Sequence, residues 1–400
     1  QYDLSEDGGF LPARCLRRLP PAYDALERLV EELPALNREG ALCAAVDGME
    51  ELAPSLLAGA APEELRRLYL LLGMLGHSYV HGRKDSSGEA AGGGSAVCPG
   101  GPDPPLPAQL SRPWLQVCCL LRMPPVLTAA ATDLWNWQLK DLAEDSLLFV
   151  AHMVPCAMQR AAARVVPRLF LADLLVRGGR GPALAALLGE LAAVLRTFLR
   201  IFQLVGKLVD VGTFYNVYRP LLDGFYPGGI VLCGISADAA AEASSFLKVE
   251  SVEAEAPDGA AVRVRCKGPS AGQSTMFILF DAFLCVEHDA VGADFQTEML
   301  SYMPEQHRHM VAAFRRRWQD VPSVREFVHA QADEVGGPAL AEAYRGCVSA
   351  LRSVRQAHLA TVTQYLASAS VGTGASQWRA MLQATLESTA RAACIPRRVQ

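Results

Sequence analysis

The chain is expected to fold mainly as α-helices, with a short hairpin or small sheet inserted in its second half. Three observations predict this. Apolar residues make up 51% of the chain but aromatics only 7%, a balance rich in Ala and Leu that suits helices better than a β-sandwich. Apolar side chains recur at three- and four-residue steps through long stretches. Only residues 228–267 break that period, with short strand-like runs. Four hundred residues suffice for one large domain or two smaller ones, each with a sizeable core.

Residues 21–82 read as helices, because Tyr23, Leu26, Leu29, Val30 and Leu33, then Leu65, Leu68, Leu70, Leu71 and Leu75, keep helical spacing. Residues 83–107 turn to Gly, Ser, Pro and Ala and read as an inserted or disordered surface loop. Order is expected to restart at Pro113. Pro124-Pro125 precedes Val126–Ala131, a run suited to a helix that begins after proline. Helices are expected from Ser146 to Leu175, with Pro155 and Pro167 as kinks or boundaries. Gly178–Gly181 reads as a turn, and Leu184–Gly206 as one long amphipathic helix. Ile230–Leu232, Val249–Glu253 and Val262–Arg265 read as strands. Helices return from Ser274 to Val286 and continue to the end, with no internal repeat.

The net charge of −5 gives no argument for nucleic acid or an anionic membrane. Arg315-Arg316-Arg317 reads as a solvated helix end. The eleven cysteines follow no framework and include no C-x-x-C pair, which argues against zinc and thioredoxin-type chemistry and for reduced thiols in a cytosolic protein. Gln1–Asp7 has neither the basic nor the apolar region of a leader peptide. The apolar stretch Leu184–Leu199 is broken by Glu190 and Arg196, so no membrane span is expected there.

The last quarter carries the most chemistry. Leu340, Tyr344, Cys347, Leu351, Val354, His358, Val362 and Tyr365 step along one helix face. An imidazole in such a stripe suits a single axial ligand to haem iron, although the pattern alone more often marks a satisfied core histidine. Upstream, Lys267-Gly268-Pro269-Ser270-Ala271-Gly272-Gln273-Ser274 is a small-residue loop before a helix that presents Phe277, Phe280, Phe283 and Leu284. Ser270 or Ser274 can cap that helix, and the small residues admit a close approach to the backbone. The loop lacks the Lys-Ser/Thr pair of a P-loop.

That loop resembles the S-A-G-Q-S signature of the indoleamine 2,3-dioxygenase family, and other pieces match in order. They are Gly8–Pro12, Arg122–Leu127, Phe214–Arg219, Tyr302-Met303-Pro304 with His307-Arg308, Pro322–Val328, and Ala343-Tyr344 through Arg355 and His358. The resemblance spans nearly the whole chain, apart from the loop at 83–107 and the stretch near 236–262. It implies a two-domain helical haem dioxygenase fold, with a small N-terminal domain (1–141) capping a large haem-binding catalytic domain (142–400). It also implies haem b as cofactor and insertion of both atoms of O2 across the indole C2–C3 bond of L-tryptophan, giving N-formylkynurenine. The protein's own part is to hold, orient and dry the reactants. A cytosolic monomer is expected, with no nucleic-acid or membrane partner.

Residue by residue, the resemblance implies His358 as the proximal iron ligand and Arg355 as the partner of a haem propionate. Arg219 takes the substrate carboxylate and Phe214 the indole. Ser270 and Ala271 line the distal side, Ser270 and Phe277 also bordering the haem. Ser376, in Gly372-Thr373-Gly374-Ala375-Ser376, matches the hydroxyl of a mobile loop over the substrate amine; here the family's G-T-G-G-T has become G-T-G-A-S. Counting back without gaps from Pro167 puts Leu148-Phe149 at the family's aromatic pair and His152 at its distal polar site, where it can hydrogen-bond the indole N–H; the plain alternative is a buried histidine bonded to backbone. Two rivals stand beside this reading: a relative that binds O2 without turnover, and a non-catalytic signalling protein.

Overall fold

The computed structural model describes residues 4–82, 105–137, 150–252, 260–366, 369 and 371–394, with only the backbone of 150–153. Residues 83–104, Leu148-Phe149 and Glu253 lie outside the described residues, as does the expected boundary at 141. The fold is mainly helical with one small sheet, as the composition and periodicity predict.

The first half contains α1 (Asp24–Glu31), α2 (Leu33–Glu39), α3 (Leu42–Asp47), α4 (Pro54–Ala58), α5 (Pro62–His81) and α6 (Ala108–Leu121). Pro62 opens α5, where its missing N–H costs nothing. Leu68, Leu72 and Leu75 bury one face of α5. α6 approaches closely because α5 carries glycine at the contact: a Cβ at Gly76 would meet the Trp114 ring at 2.3 Å, and one at Gly73 would meet Leu127 at 2.8 Å.

Two expectations for this half are corrected. Order resumes before Pro113, which lies inside α6. Leu106 is fully buried, its N–H donates to the Val231 carbonyl (2.8 Å), and its own carbonyl accepts from the Cys233 N–H (3.1 Å). Residues 105–107 are therefore pinned rather than part of the surface loop. Nor does Val126–Ala131 begin a helix directly after proline. Helical geometry starts at Ala129 and leads into a wide π-type turn, Ala130–Leu134. The preceding backbone is committed elsewhere: the Tyr69 hydroxyl lies 2.8 and 2.7 Å from the Pro124 and Val126 carbonyls, and the Leu127 N–H donates to His77 Nε2 (2.9 Å).

The middle of the chain forms α7 (Val150–Ala162), α8 (Val166–Leu169), α9 (Ala172–Arg177), α10 (Gly181–Leu208), α11 (Val211–Thr213) and α12 (Ala237–Ser244). Pro155 is accommodated inside α7, and Pro167 sits in the first turn of α8. Strands β1 (Phe225–Cys233), β2 (Val249–Val252) and β3 (Ala261–Cys266) make an antiparallel sheet in the order β1-β3-β2. The strand-like region is thus interrupted by α12, whose N-terminus is capped by Ser236 Oγ accepting from the Ala239 N–H (3.2 Å). Alternate residues Ile230 and Leu232 of β1, with Val262 and Val264 of β3, bury one sheet face against the core that also holds Tyr69, Trp114 and Trp135.

The last part comprises α13 (Thr275–Phe283), α14 (Ala290–Leu300), α15 (Glu305–Arg317), α16 (Val324–Ala330), α17 (Gly337–Tyr365) and α18 (Trp378–Ala392). α10 and α17 pack along much of their length. Leu184, Leu188, Leu191 and Leu195 share one core with Leu340, Tyr344, Leu351 and Val354. By length and composition α10 could cross a membrane, but its apolar stripe is spent on α17 and α7. The arginine run ends α15 as expected, with Arg317 pairing the buried Asp173 (2.9 Å).

Candidate active site

A cavity of about 440 Å³, within the rough 300–1,000 Å³ range of ligand and cofactor sites, opens beside α17. Its walls come from distant parts of the chain. α17 supplies Val354, Arg355, His358 and Val362, and α18 supplies Trp378, Met381, Leu382 and Thr385. The loop Pro269–Ser274 and the start of α13, including Phe277, form a second side. Residues 129–134 with Val154, Pro155 and Met158 of α7 close a third, and Gly372, Thr373, Gly374 and Ser376 border a fourth.

His358 is brought here by the period of α17. Val354 and Leu351 bury the same face one and two turns earlier, and His358 continues it into the cavity, 5.9 Å from the Phe202 ring. Burial pushes its pKa down to about 4, with the nearby Arg355 charge adding to the effect. The ring is therefore neutral at physiological pH, the form that ligates a metal. No hydrogen bond to it is made by the described residues. A neutral, uncommitted imidazole on an apolar wall fits an axial haem ligand.

Arg355 is one turn away and already engaged. Its Nη2 donates to Asp281 Oδ1 (2.5 Å) and its Nη1 to the Thr389 hydroxyl. Asp281 Oδ2 lies 2.9 Å from His288 Nε2 and accepts from Gln296 Nε2 (3.0 Å). Burial opposes the charge on Asp281, but the Arg355 guanidinium and the His288 contact outweigh it and hold the carboxyl below its usual range. Arg355, Asp281, His288 and Gln296 all border the cavity, so Arg355 would meet a haem propionate from within a satisfied network.

The Ser270 loop is held by its own residues. Ser270 Oγ accepts from the Gly272 N–H (3.2 Å). Gln273 Nε2 donates to the Gly268 carbonyl (2.9 Å), while its Oε1 accepts from the Ala129 N–H (2.8 Å), joining the loop to the 129–134 turn. Gly272 is required, since a Cβ there would stand 2.5 Å from the Phe295 ring. The segment 371–376 lies over this loop: the Gly268 N–H donates to the Thr373 carbonyl (2.9 Å), and the Thr373 hydroxyl donates to the Pro269 carbonyl (2.6 Å). Ala375 adopts φ +51°, a left-handed conformation that strains any residue with a Cβ. The alanine noted in the sequence thus occupies a position that favours glycine.

The structure gathers Ser270, Ala271, Phe277, Arg355, His358 and Ser376 around one space. It does not place Phe214 or Arg219 on that wall. The Phe214 ring packs edge-on against Tyr365 at 5.3 Å. Arg219 lies behind the 371–376 segment, where its Nη2 donates to the Val371 carbonyl (2.9 Å) and stands 3.7 Å from Asp223. Its Nε is buried and has no hydrogen-bond partner among the described residues. His152 is on α7, two residues before the cavity-lining Val154; its side chain lies outside the described residues. His307, not counted among the site residues, is buried against Phe10 with Nδ1 3.0 Å from the Thr275 hydroxyl. Sequence reasoning expected helix to the end of the chain but did not place α18 at the site, although Trp378, Met381, Leu382 and Thr385 sit at the spacing of one helix face. It also missed Asp281, Asp133 and His288, which carry no periodic signal.

A sequence profile of the family described as indoleamine 2,3-dioxygenase matches residues 1–393. The chain belongs to the indoleamine 2,3-dioxygenase family. Indoleamine 2,3-dioxygenase 1 of Rattus norvegicus is 28% identical over 390 residues, covering 92% of this chain and 84% of the rat protein. A 6-hydroxytryptophan 2,3-dioxygenase of Fusarium equiseti is 28% identical over 393 residues, 93% of this chain and 86% of its own. A myoglobin of Haliotis diversicolor is 28% identical over 391 residues, 92% of this chain and 89% of its own. Membership in the indoleamine 2,3-dioxygenase family supports a dioxygenase acting on an indole, and together with the myoglobin relative it points to haem binding.

Proposed function

We propose that the protein is a haem b dioxygenase that converts L-tryptophan and O2 to N-formylkynurenine, the first step of tryptophan breakdown through kynurenine. The observation that carries this reading is His358, neutral and without a hydrogen bond among the described residues, on the wall of a largely apolar cavity. Haem b, when bound, supplies the activation of O2. His358 would hold the iron, and Arg355 would face a propionate from its Asp281-anchored position. Phe277, Val354 and Val362 would exclude water from the porphyrin faces.

The remaining residues orient the substrate. Ala271 and Gly374 leave room beside Ser270, and the Ser376 hydroxyl borders the same space for the amino group. The unpartnered Nε of Arg219, behind the 371–376 segment, gives the substrate carboxylate a buried cationic donor. The family resemblance assigns the aromatic contact with the indole to Phe214, which rests against Tyr365 next to Arg219, and the distal polar role to His152. The cysteines described are all unpaired thiols, which agrees with a place in the cytosol.

The myoglobin relative motivates the second reading, O2 binding without turnover. Incubating the ferrous, haem-loaded protein with L-tryptophan in air separates the two: N-formylkynurenine is expected, whereas reversible O2 uptake without product supports the second. Arg219→Ala is expected to raise the KM for L-tryptophan by roughly ten- to hundred-fold, the value of a charge-assisted contact, and to leave binding of indoles without a carboxylate nearly unchanged. Equal losses for both would remove Arg219 from the site.

A further inference from the structure

Asp133 stands on the cavity wall beside Ala130 and Leu134 of its own turn and Val154, Pro155 and Met158 of α7, with the Cys156 thiol 3.5 Å from its backbone carbonyl and Tyr218 near enough to feel its charge. The described residues provide no cation to pair with it. Its hydrogen-bond support is thin. Thr132 Oγ1 lies 3.2 Å from Asp133 Oδ1 but also 3.2 Å from the Thr128 carbonyl, so one hydroxyl proton serves two acceptors. The other carboxyl bordering the cavity, Asp281, shows the contrast, since Arg355, His288 and Gln296 satisfy it. A carboxyl group has about four acceptor sites, and among the described residues only the Thr132 hydroxyl donates to those of Asp133. Burial pushes its pKa up to about 7, the weak Thr132 contact opposing this only in part. A group so placed, partly accessible and bordering the cavity, is satisfied by whatever enters.

We propose that Asp133 is a specificity-determining residue that accepts a hydrogen bond from an N–H or O–H donor on the ring of an indole substrate, favouring indoles that carry one. This rests on the reading of the cavity as an indole dioxygenase site. Asp133 belongs to the wall that joins the Ser270 loop at Gln273, whereas the 371–376 segment, proposed above to serve the amino-acid end with Arg219 bonded to Val371, joins the same loop at Gly268 and Pro269. The ring, not the ammonium group, is therefore what meets Asp133. The donor is either the indole N–H or a ring hydroxyl; both present the same chemistry to a carboxyl.

The test is calorimetric binding to the haem-loaded wild type, Asp133→Asn and Asp133→Leu. The ligands are L-tryptophan, 1-methyl-L-tryptophan, 5- and 6-hydroxy-L-tryptophan, and indole-3-propionate. The ferrous–CO Soret band confirms an intact haem site in each protein, and the near-isosteric Asp133→Asn guards against a packing effect in Asp133→Leu. Wild type is expected to bind at least one donor-bearing ligand roughly ten- to hundred-fold more tightly than its donor-poorer counterpart. Asp133→Leu should erase that preference and Asp133→Asn, which keeps a carbonyl acceptor, should reduce it. Loss of discrimination against 1-methyl-L-tryptophan identifies the ring N–H, and loss of a gain from hydroxylation identifies the O–H. Unchanged ratios in Asp133→Leu overturn the proposal. So does a loss for every amino acid with none for indole-3-propionate, because the contact would then be to the ammonium group. Failure of wild type to bind any indole is a different pattern, which overturns the indole reading of the cavity and this proposal with it.

Discussion

His358→Ala is expected to abolish stable haem binding, or to shift the ferrous–CO Soret band, because the ring is neutral and has no hydrogen bond among the described residues of its apolar wall. An unchanged spectrum in the variant would contradict the ligand assignment. His358 was legible in the sequence because helical period alone places it on the buried face of α17. The residues that surround it were not. Asp281 looks like an interruption in the apolar helix α13, and only folding brings Arg355, 74 positions away, and His288 to its carboxylate. Asp133 was illegible for the same reason, since nothing local distinguishes a carboxylate in a cavity from one in solvent. Arg219 shows the opposite failure: its residue type suggests a carboxylate clamp, yet its resting partner is the Val371 carbonyl.

At the scale of elements, the contact of α5 with α6 depends on the absence of a side chain. Gly76→Ala would push a methyl group into the ring of Trp114, which is fully buried and flanked by His77 and Phe225 at 6.4 Å. The expected cost is about 1–3 kcal/mol, the usual range for overpacking. Gly189→Ala, in α10 where nothing beyond the adjoining helix backbone lies within 4 Å of the new Cβ, should be neutral or stabilising by up to about 1 kcal/mol. Urea unfolding of the two variants checks the pair; a similar loss in both would contradict the packing account. Long periodic helices such as α10 and α17 were readable from spacing. The turn at 129–134 was not, because its lead-in backbone bonds to Tyr69 and His77, some fifty residues earlier. α12 was hidden because the β-rich sequence on either side dominates that region.

Across the whole molecule, two buried histidines link stability to pH. His77 has Nδ1 3.0 Å from the Leu221 carbonyl and accepts the Leu127 N–H at Nε2, an arrangement that requires a neutral ring. Burial pushes its pKa down to about 3, with the His81 charge adding to this. Burial does the same to His307, also to about 3, with a further contribution from Arg66. Both rings gain a proton on unfolding once the pH falls below 6.5. Their contribution is therefore complete above pH 6.5 and is lost progressively as the pH falls toward 3. Unfolding free energy should drop by up to about 1.4 kcal/mol per pH unit for each ring in that window. A profile that stays flat from pH 7.5 to 5 would contradict neutral burial of both.

The central claim is that this cavity performs dioxygenation rather than oxygen storage. The most direct measurement is a single turnover of the ferrous, haem-loaded protein with L-tryptophan under ¹⁸O2, followed by mass spectrometry of the product. The account predicts N-formylkynurenine carrying two ¹⁸O atoms. Unreacted tryptophan, or a product that carries one labelled atom when oxygen exchange with water has been excluded, would contradict it.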